Sequence, residues 1–245
     1  MQPLKTTRFT KIVAIHQPDF FPWMGFFDKA YKCDSFLVLD DVQFPKTGGT
    51  YCNRVKLWFG GQEQWMTAPV DRRYHGVRRI HEVDFQEGAG WRLNMLASLA
   101  MNYRKATFYK ETLRFLEPLI VNPETNVCSY NMHAILAIAN MLDIPREKFL
   151  TSSTLTHQGR GTELLVSLVQ AVEGGAYICG TGALAYQEDI LFKNAGIELI
   201  HRKFAPPIYP QFTNKNFTPG LSIIDAFMHC GISGVASLLA EKAEF

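Results

Sequence analysis

The chain has 245 residues, of which 47% are apolar and 20% charged, a length and composition that suit one large globular domain. Twenty-five basic against 23 acidic side chains leave a formal charge of +2, which gives no electrostatic footprint for a nucleic-acid duplex. Five scattered cysteines without a CxxC pair argue against a zinc site or a disulfide framework and fit reduced thiols in a cytoplasmic protein.

Residues 1–10 are polar and lack the apolar stretch of a secretory leader. No apolar run is expected to reach the ~18 residues of a membrane span. Ile12-Val13-Ala14-Ile15 then reads as a short buried strand that ends abruptly in His16-Gln17-Pro18. Trp23, Phe26, Phe27, Ala30 and Tyr31 recur at helical spacing behind Pro22, which suits a first helical turn. A second apolar run, Phe36 to Leu39, leads into Asp40-Asp41-Val42-Gln43. A strand, helix, strand order places both polar clusters on one edge of a parallel sheet, the edge where such sheets bind ligands.

Residues 45–53 read as a polar loop whose Gly48-Gly49 gives it the freedom of a flap. Gln64 to Val70 and Ile80 to Phe85 read as strands, separated by a solvated basic turn with Arg72, Arg73, Arg78 and Arg79. Three helices follow without an intervening strand, beginning near Trp91, Phe108 and Ser129, so residues 90–145 form a helical insertion. Alternation resumes with a strand at 148–151, Ser152-Ser153-Thr154, a helix at 162–172, a strand at 176–179 and Gly180-Thr181-Gly182. A helix from Ala185 to Asn194 and a strand at 197–200 complete it. The strand, helix, strand repetition predicts parallel crossovers. Two helices within residues 220–245 close the chain, the first capped by Ser222. The expected fold is thus a single α/β domain over 1–245, with a mostly parallel sheet, flanking helices and a Rossmann-like start.

His16 at a strand end is the leading catalytic candidate, as a general base or an anion donor. Asp40 or Asp41 is expected to orient it or to bind an amine. Gly180-Thr181-Gly182 before a helix lets backbone N–H groups face an anion. Cys52 beside Arg54, and Cys179 at a strand end, are alternative nucleophiles, although free cysteines more often act as small buried apolar groups. Asp225 falls in a first helical turn, where the helix dipole favours a carboxylate. No metal site is expected.

These stretches resemble the WbqC-like proteins of bacteria. The resemblance rests on Ala14-Ile15-His16-Gln17-Pro18 with Pro22-Trp23-Met24-Gly25-Phe26-Phe27, on Leu39 to Phe44, and on Asn53-Arg54-Val55-Lys56. It continues through Tyr103 to Ala106, Tyr177 to Gly182 with Tyr186, and Leu221-Ser222-Ile223-Ile224-Asp225. Residues 46–52 depart from the family pattern, and their Cys52 is not a usual member residue. The family is associated with O-antigen and secondary-metabolite clusters, and transfer of an aminoacyl group such as glycine to an amino sugar has been suggested for it. The resemblance therefore implies an acyl or aminoacyl transferase that forms an amide on a small-molecule amine, with His16 as base. Gln17, Gln43, Asn53, Arg54, Ser153, Gly180, Thr181, Tyr186 and Asp225 are the implied substrate contacts. The donor would be a carrier-protein thioester, an aminoacyl adenylate or an aminoacyl-tRNA.

The opening unit is also similar to nucleotidylyltransferase folds, which place a second histidine three positions after the first, where this chain has Asp19. Two alternatives follow: an adenylate-forming or nucleotidylyl-transferring enzyme using ATP and magnesium, and a non-catalytic module of a biosynthetic complex. No feature sets an oligomeric state.

Overall fold

Five apolar runs lie side by side in a wholly parallel sheet in this computed structural model, which describes residues 11–88, 90–180, 188–202, 204–212 and 217–241. They are β1 (Ile12–His16), β2 (Ser35–Val38), β5 (Phe149–Thr151), β6 (Ala176–Cys179) and β7 (Glu198–His201). Their order is β5-β2-β1-β6-β7, with Ala14 opposite Phe36 on one side and Ile178 on the other. A central parallel strand is covered on both faces, which is why β1, β2 and β6 read as unbroken apolar runs.

One face of β1 carries Val13 and Ile15 against the helices α5 (Thr162–Ala171) and α6 (Asp189–Asn194). The other carries Ala14 and packs on α1 (Met24–Lys32), whose Phe26, Phe27 and Ala30 are fully buried. Each phenylalanine contributes about 1.5–3 kcal/mol by leaving water. Three helices follow one another without an intervening strand: α2 (Trp91–Tyr103), α3 (Tyr109–Ile120) and α4 (Val127–Met141). Asn126 caps α4 by accepting from the Ser129 N–H at 3.1 Å.

The segment after β2 departs from the sequence reading. Residues 54–59 form a strand, β3 (Arg54–Phe59), antiparallel to β4 (Gln62–Thr67). Gly60 and Gly61, with φ of 59° and 85°, make the two-residue turn that twisted hairpins require. The expected strand at 80–85 is instead a 3-10 turn, Ile80–Glu82, followed by isolated bridges from Asp84 to Asn126 and from Phe85 to Val70. Its alternating apolar residues Ile80, Val83 and Phe85 are buried against other loops rather than against a neighbouring strand. The flap is held down: the Arg72 guanidinium donates to the carbonyls of Pro45, Lys46 and Gly48, and Phe20 N–H donates to Tyr51 C=O.

At the C-terminal end, α7 (Ile223–Ala240) consists of two helical stretches on either side of a break at Gly231, as expected. Ser222 caps it as read, its hydroxyl accepting from Ile224 N–H at 3.2 Å and donating to Phe21 C=O at 2.7 Å. Over its 18 residues α7 is long and apolar enough to cross a membrane, contrary to the expectation that no run is. Here it buries Ile223, Ile224, Phe227, Val235 and Leu239, and with them the carboxylate of Asp225. No other helix among the described residues meets that test.

Candidate functional site

With the hairpin set aside, the strand order 5-2-1-6-7 reverses direction between β1 and β6. In an open α/β sheet the crevice outside the carboxyl ends at that reversal is where ligands bind. His16 ends β1 and Gly180 follows β6, so both stand at this crevice.

The His16 ring sits edge-on to Phe26 at 5.0 Å between centroids, and its Nδ1 lies 3.1 Å from the Gln17 carbonyl. A carbonyl only accepts, so Nδ1 carries the proton and Nε2 keeps its lone pair, without a partner among the described residues. The side chain is 27% exposed. Burial, and then the neighbouring Lys29 ammonium, lower the imidazole to about 4, so it is uncharged at neutral pH. Asp19, where the nucleotidylyltransferase pattern has its second histidine, places Oδ2 3.6 Å from His16 Nδ1. Burial raises its carboxyl to about 8 against the opposing pull of Lys29, so it too is mostly uncharged.

Asp40 and Asp41 do something other than orient His16. Asp40 is buried and its carboxylate accepts from Ser153 N–H at 2.9 Å, Ser153 Oγ at 2.7 Å and Ser152 Oγ at 3.0 Å. With its acceptors filled by the turn after β5, it locks β2 to that turn. Ser152 Oγ also lies 2.5 Å from Asp41 Oδ1, and its single proton serves one carboxylate at a time. The other oxygen of Asp41 meets His157 Nε2 at 2.6 Å. Asp41 therefore orients His157, a residue the sequence reading passed over. A cleft of about 680 Å³ opens beside this network and is lined by Asp40, His81, Asn126, Cys128, Arg146 and Thr151.

The remaining candidates divide. Gln17 faces the crevice region through Oε1, which accepts from the Cys52 thiol at 3.6 Å. Cys52 is fully buried, and burial followed by the charge of Asp19 pushes its thiol far up, so it is no thiolate at neutral pH despite the nearby Arg54. Cys179 Sγ lies 3.2 Å from His201 Nδ1, across the β6–β7 pair. Asn53 is buried and spent on the hairpin, donating to Ala68 C=O and accepting from Thr50 N–H. Arg54 stacks on Trp65 at 4.2 Å, and Gln43 is exposed beside Arg79. Ser153 serves Asp40. Thr181, Tyr186 and most of the Gly180-Thr181-Gly182 turn lie outside the described residues.

Asp225 is also elsewhere. It has no exposed surface and accepts from Tyr103 OH, Tyr209 OH and Gln211 Nε2 at 2.8, 2.8 and 3.0 Å. A carboxylate so enclosed ties α7 to α2 and to the loop around Tyr209.

The residue that sequence reasoning missed at the crevice itself is Lys29. It follows Phe26 by three positions on α1, so it falls on the helix face that packs toward β1, and a cation on an apolar face was the available signal. No cluster of His, Cys, Asp or Glu suited to a metal occurs among the described residues.

Comparison with known proteins adds family context. The model of the WbqC-like protein family matches residues 17–237. The chain is 28% identical over 223 residues to the uncharacterized protein Rv1507c of Mycobacterium tuberculosis, covering 90% of this chain and 94% of that protein. No solved structure matches significantly.

Proposed function

The chain belongs to the WbqC-like protein family, and on that premise we propose that it is a transferase that moves an acyl or aminoacyl group onto an amine at the β1–β6 crevice. The observation that carries this reading is the state of His16: an uncharged imidazole, its Nδ1 proton tied to the Gln17 carbonyl, with Nε2 open as an acceptor. Attack of a neutral amine on an acyl carbon creates an N–H that is far more acidic than the free amine. Such a proton passes to a weak base, and a base that is itself uncharged at neutral pH has its lone pair ready. Gln17 fixes the tautomer, and Asp19 in its uncharged form avoids locking His16 as an ion pair. The acceptor is a small-molecule amine.

The strand order also favours a second reading, nucleotidylyl transfer with ATP and magnesium. Against it, Ser152 and Ser153 spend their hydroxyls on Asp40 and Asp41 rather than offering them to phosphate.

The test uses hydroxylamine as a surrogate amine and a set of synthetic acyl donors, with hydroxamate as the product read. His16→Ala is expected to keep the wild-type unfolding transition and to lose at least about a hundredfold in hydroxamate formation, the usual worth of a positioned base. Unchanged turnover in that variant removes His16 from the chemistry. Calorimetric binding of ATP and magnesium in the absence of any acyl donor would instead establish the second reading.

A further inference from the structure

Lys29 is a half-buried ammonium at the reversal point of the sheet, and among the described residues it makes no hydrogen bond and no ion pair. Its Nζ lies against Gly180: a β-carbon built there would stand 3.0 Å from it. The amine thus rests against the backbone that leaves β6, where a β-carbon would make it give by a few tenths of an ångström.

The charges around it do not neutralise it. Asp28, one residue earlier on the same helix, is taken by the Lys32 ammonium and by Arg202 Nε at 3.2 Å. Asp19, across from β1, is held mostly protonated by burial, and His16 is uncharged. Cys179 at the end of β6 and Cys33 at the end of α1 complete the titratable groups near it. Desolvation lowers the lysine from its usual value, and the charges of Cys179, Asp19, Cys33 and Asp28 offset that only in part. A charge taken out of water and left unpaired is unfavourable unless a ligand supplies the opposite charge.

We propose that Lys29, seated on Gly180, receives the phosphate of an acyl–phosphoric anhydride donor, so that the leaving group of the transfer is a phosphate rather than a thiol. This rests on the transfer reading and specifies its donor. The amine nitrogen bonds to the acyl carbon, the carbon–oxygen bond to phosphorus breaks, and the electron pair leaves with the phosphate oxygen onto the Lys29 ammonium. The amine proton goes to His16 Nε2. The anhydride comes from one of two sources, a simple acyl phosphate or an acyl adenylate, which share the phosphate that Lys29 reads.

The experiment has two arms on the full chain. In the first, calorimetry measures binding of inorganic phosphate and of AMP. Lys29→Met is expected to weaken whichever binds by about tenfold to a hundredfold, the loss of one charge-assisted bond, while Lys29→Arg retains most of it. Gly180→Ala keeps the lysine but displaces its amine, and is expected to weaken binding in the same direction. In the second arm, hydroxylamine trapping is run with acetyl phosphate, with acetyl adenylate and with the acetyl thioester of N-acetylcysteamine. Consumption of the phosphate or the adenylate names the source. Phosphate and AMP affinities unchanged in both Lys29→Met and Gly180→Ala, with native unfolding curves, overturn the proposal. Consumption of the thioester alone overturns the donor assignment and leaves the transfer reading standing. Consumption of none overturns both.

Discussion

Replacing Asp225 with alanine separates a structural carboxylate from a substrate contact. The side chain has no exposed surface and takes protons from two tyrosine hydroxyls and the Gln211 amide. Gln211 keeps the Thr218 carbonyl as an acceptor after the change. Tyr103 OH keeps the Trp58 N–H that donates to it, but its own proton and that of Tyr209 lose their acceptor. Two orphaned buried hydroxyls at about 1–3 kcal/mol each give a loss of about 4 kcal/mol. That is a large part of the ~5–15 kcal/mol that holds a domain of this kind. At about 2–4 °C per kcal/mol for a chain of this length, Tm falls by roughly 8–16 °C. Asp225→Asn keeps one acceptor oxygen but sets an amide N–H₂ among donors, and is expected to lose about half as much. Urea unfolding followed by far-UV circular dichroism measures stability, and hydroxamate formation per folded molecule measures function. A stability loss under about 1 kcal/mol refutes the reasoning. So does a variant that is fully stable but inactive, because Asp225 would then be touching substrate.

Two further predictions concern protons and backbone. Above about pH 6.5 Asp19 is the group that matters: its native carboxyl, near 8, holds a proton that the unfolded chain has released, so stability falls as pH rises toward 8. His16 works in the opposite sense, because its native imidazole, near 4, binds fewer protons than the unfolded one, so its contribution rises from about pH 4 to 6.5 and is then complete. Between pH 6.5 and 8 the wild type is therefore expected to lose up to about 2 kcal/mol and Asp19→Asn almost none; parallel urea midpoints for the two across that range would contradict the assignment. Gly231, with φ 72° and ψ 169°, breaks α7 in a region open almost only to glycine, and a β-carbon there would meet the Phe108 ring at 2.8 Å. Gly231→Ala is expected to cost about 2–4 kcal/mol from strain and overpacking together, read by the same urea transition, and a neutral effect would mean that the break is not enforced.

The parallel sheet was legible because its inner strands are covered on both faces, which leaves a signature of uninterrupted apolar residues at Val13 to Ile15 and Phe36 to Val38. The hairpin was not read, although Gly60-Gly61 between two runs is its ordinary sign: β3 buries Val55, Leu57 and Phe59 on one side only, and its outward Lys56 and Trp58 disguised the alternation. The segment at 80–85 erred in the other direction, because its apolar spacing serves loop burial. At the site, the sheet edge and His16 followed from strand order. What did not follow was partner choice. Asp40 and Asp41 stand beside His16 in topology, yet the turn of Ser152 and Ser153 more than 110 residues later takes their oxygens, and His157 takes what remains. Lys29 was hidden among core aromatics on its helix.

The position of β1 has a consequence for synthesis. Ile12 pairs with Ala176, so β1 is the strand that, among the described residues, waits longest for its second neighbour. Translation at roughly 5–20 residues per second puts about 10–30 s between the emergence of the two, during which β1 can pair with β2 but presents its other edge unpaired. An open edge of Val13 and Ile15 on a nascent chain is a template for wrong partners. The order of strands that builds the ligand crevice in the finished protein is therefore the order that leaves its central strand half-dressed on the ribosome. Slowing translation before residue 176 is expected to lengthen the exposure and lower the soluble yield.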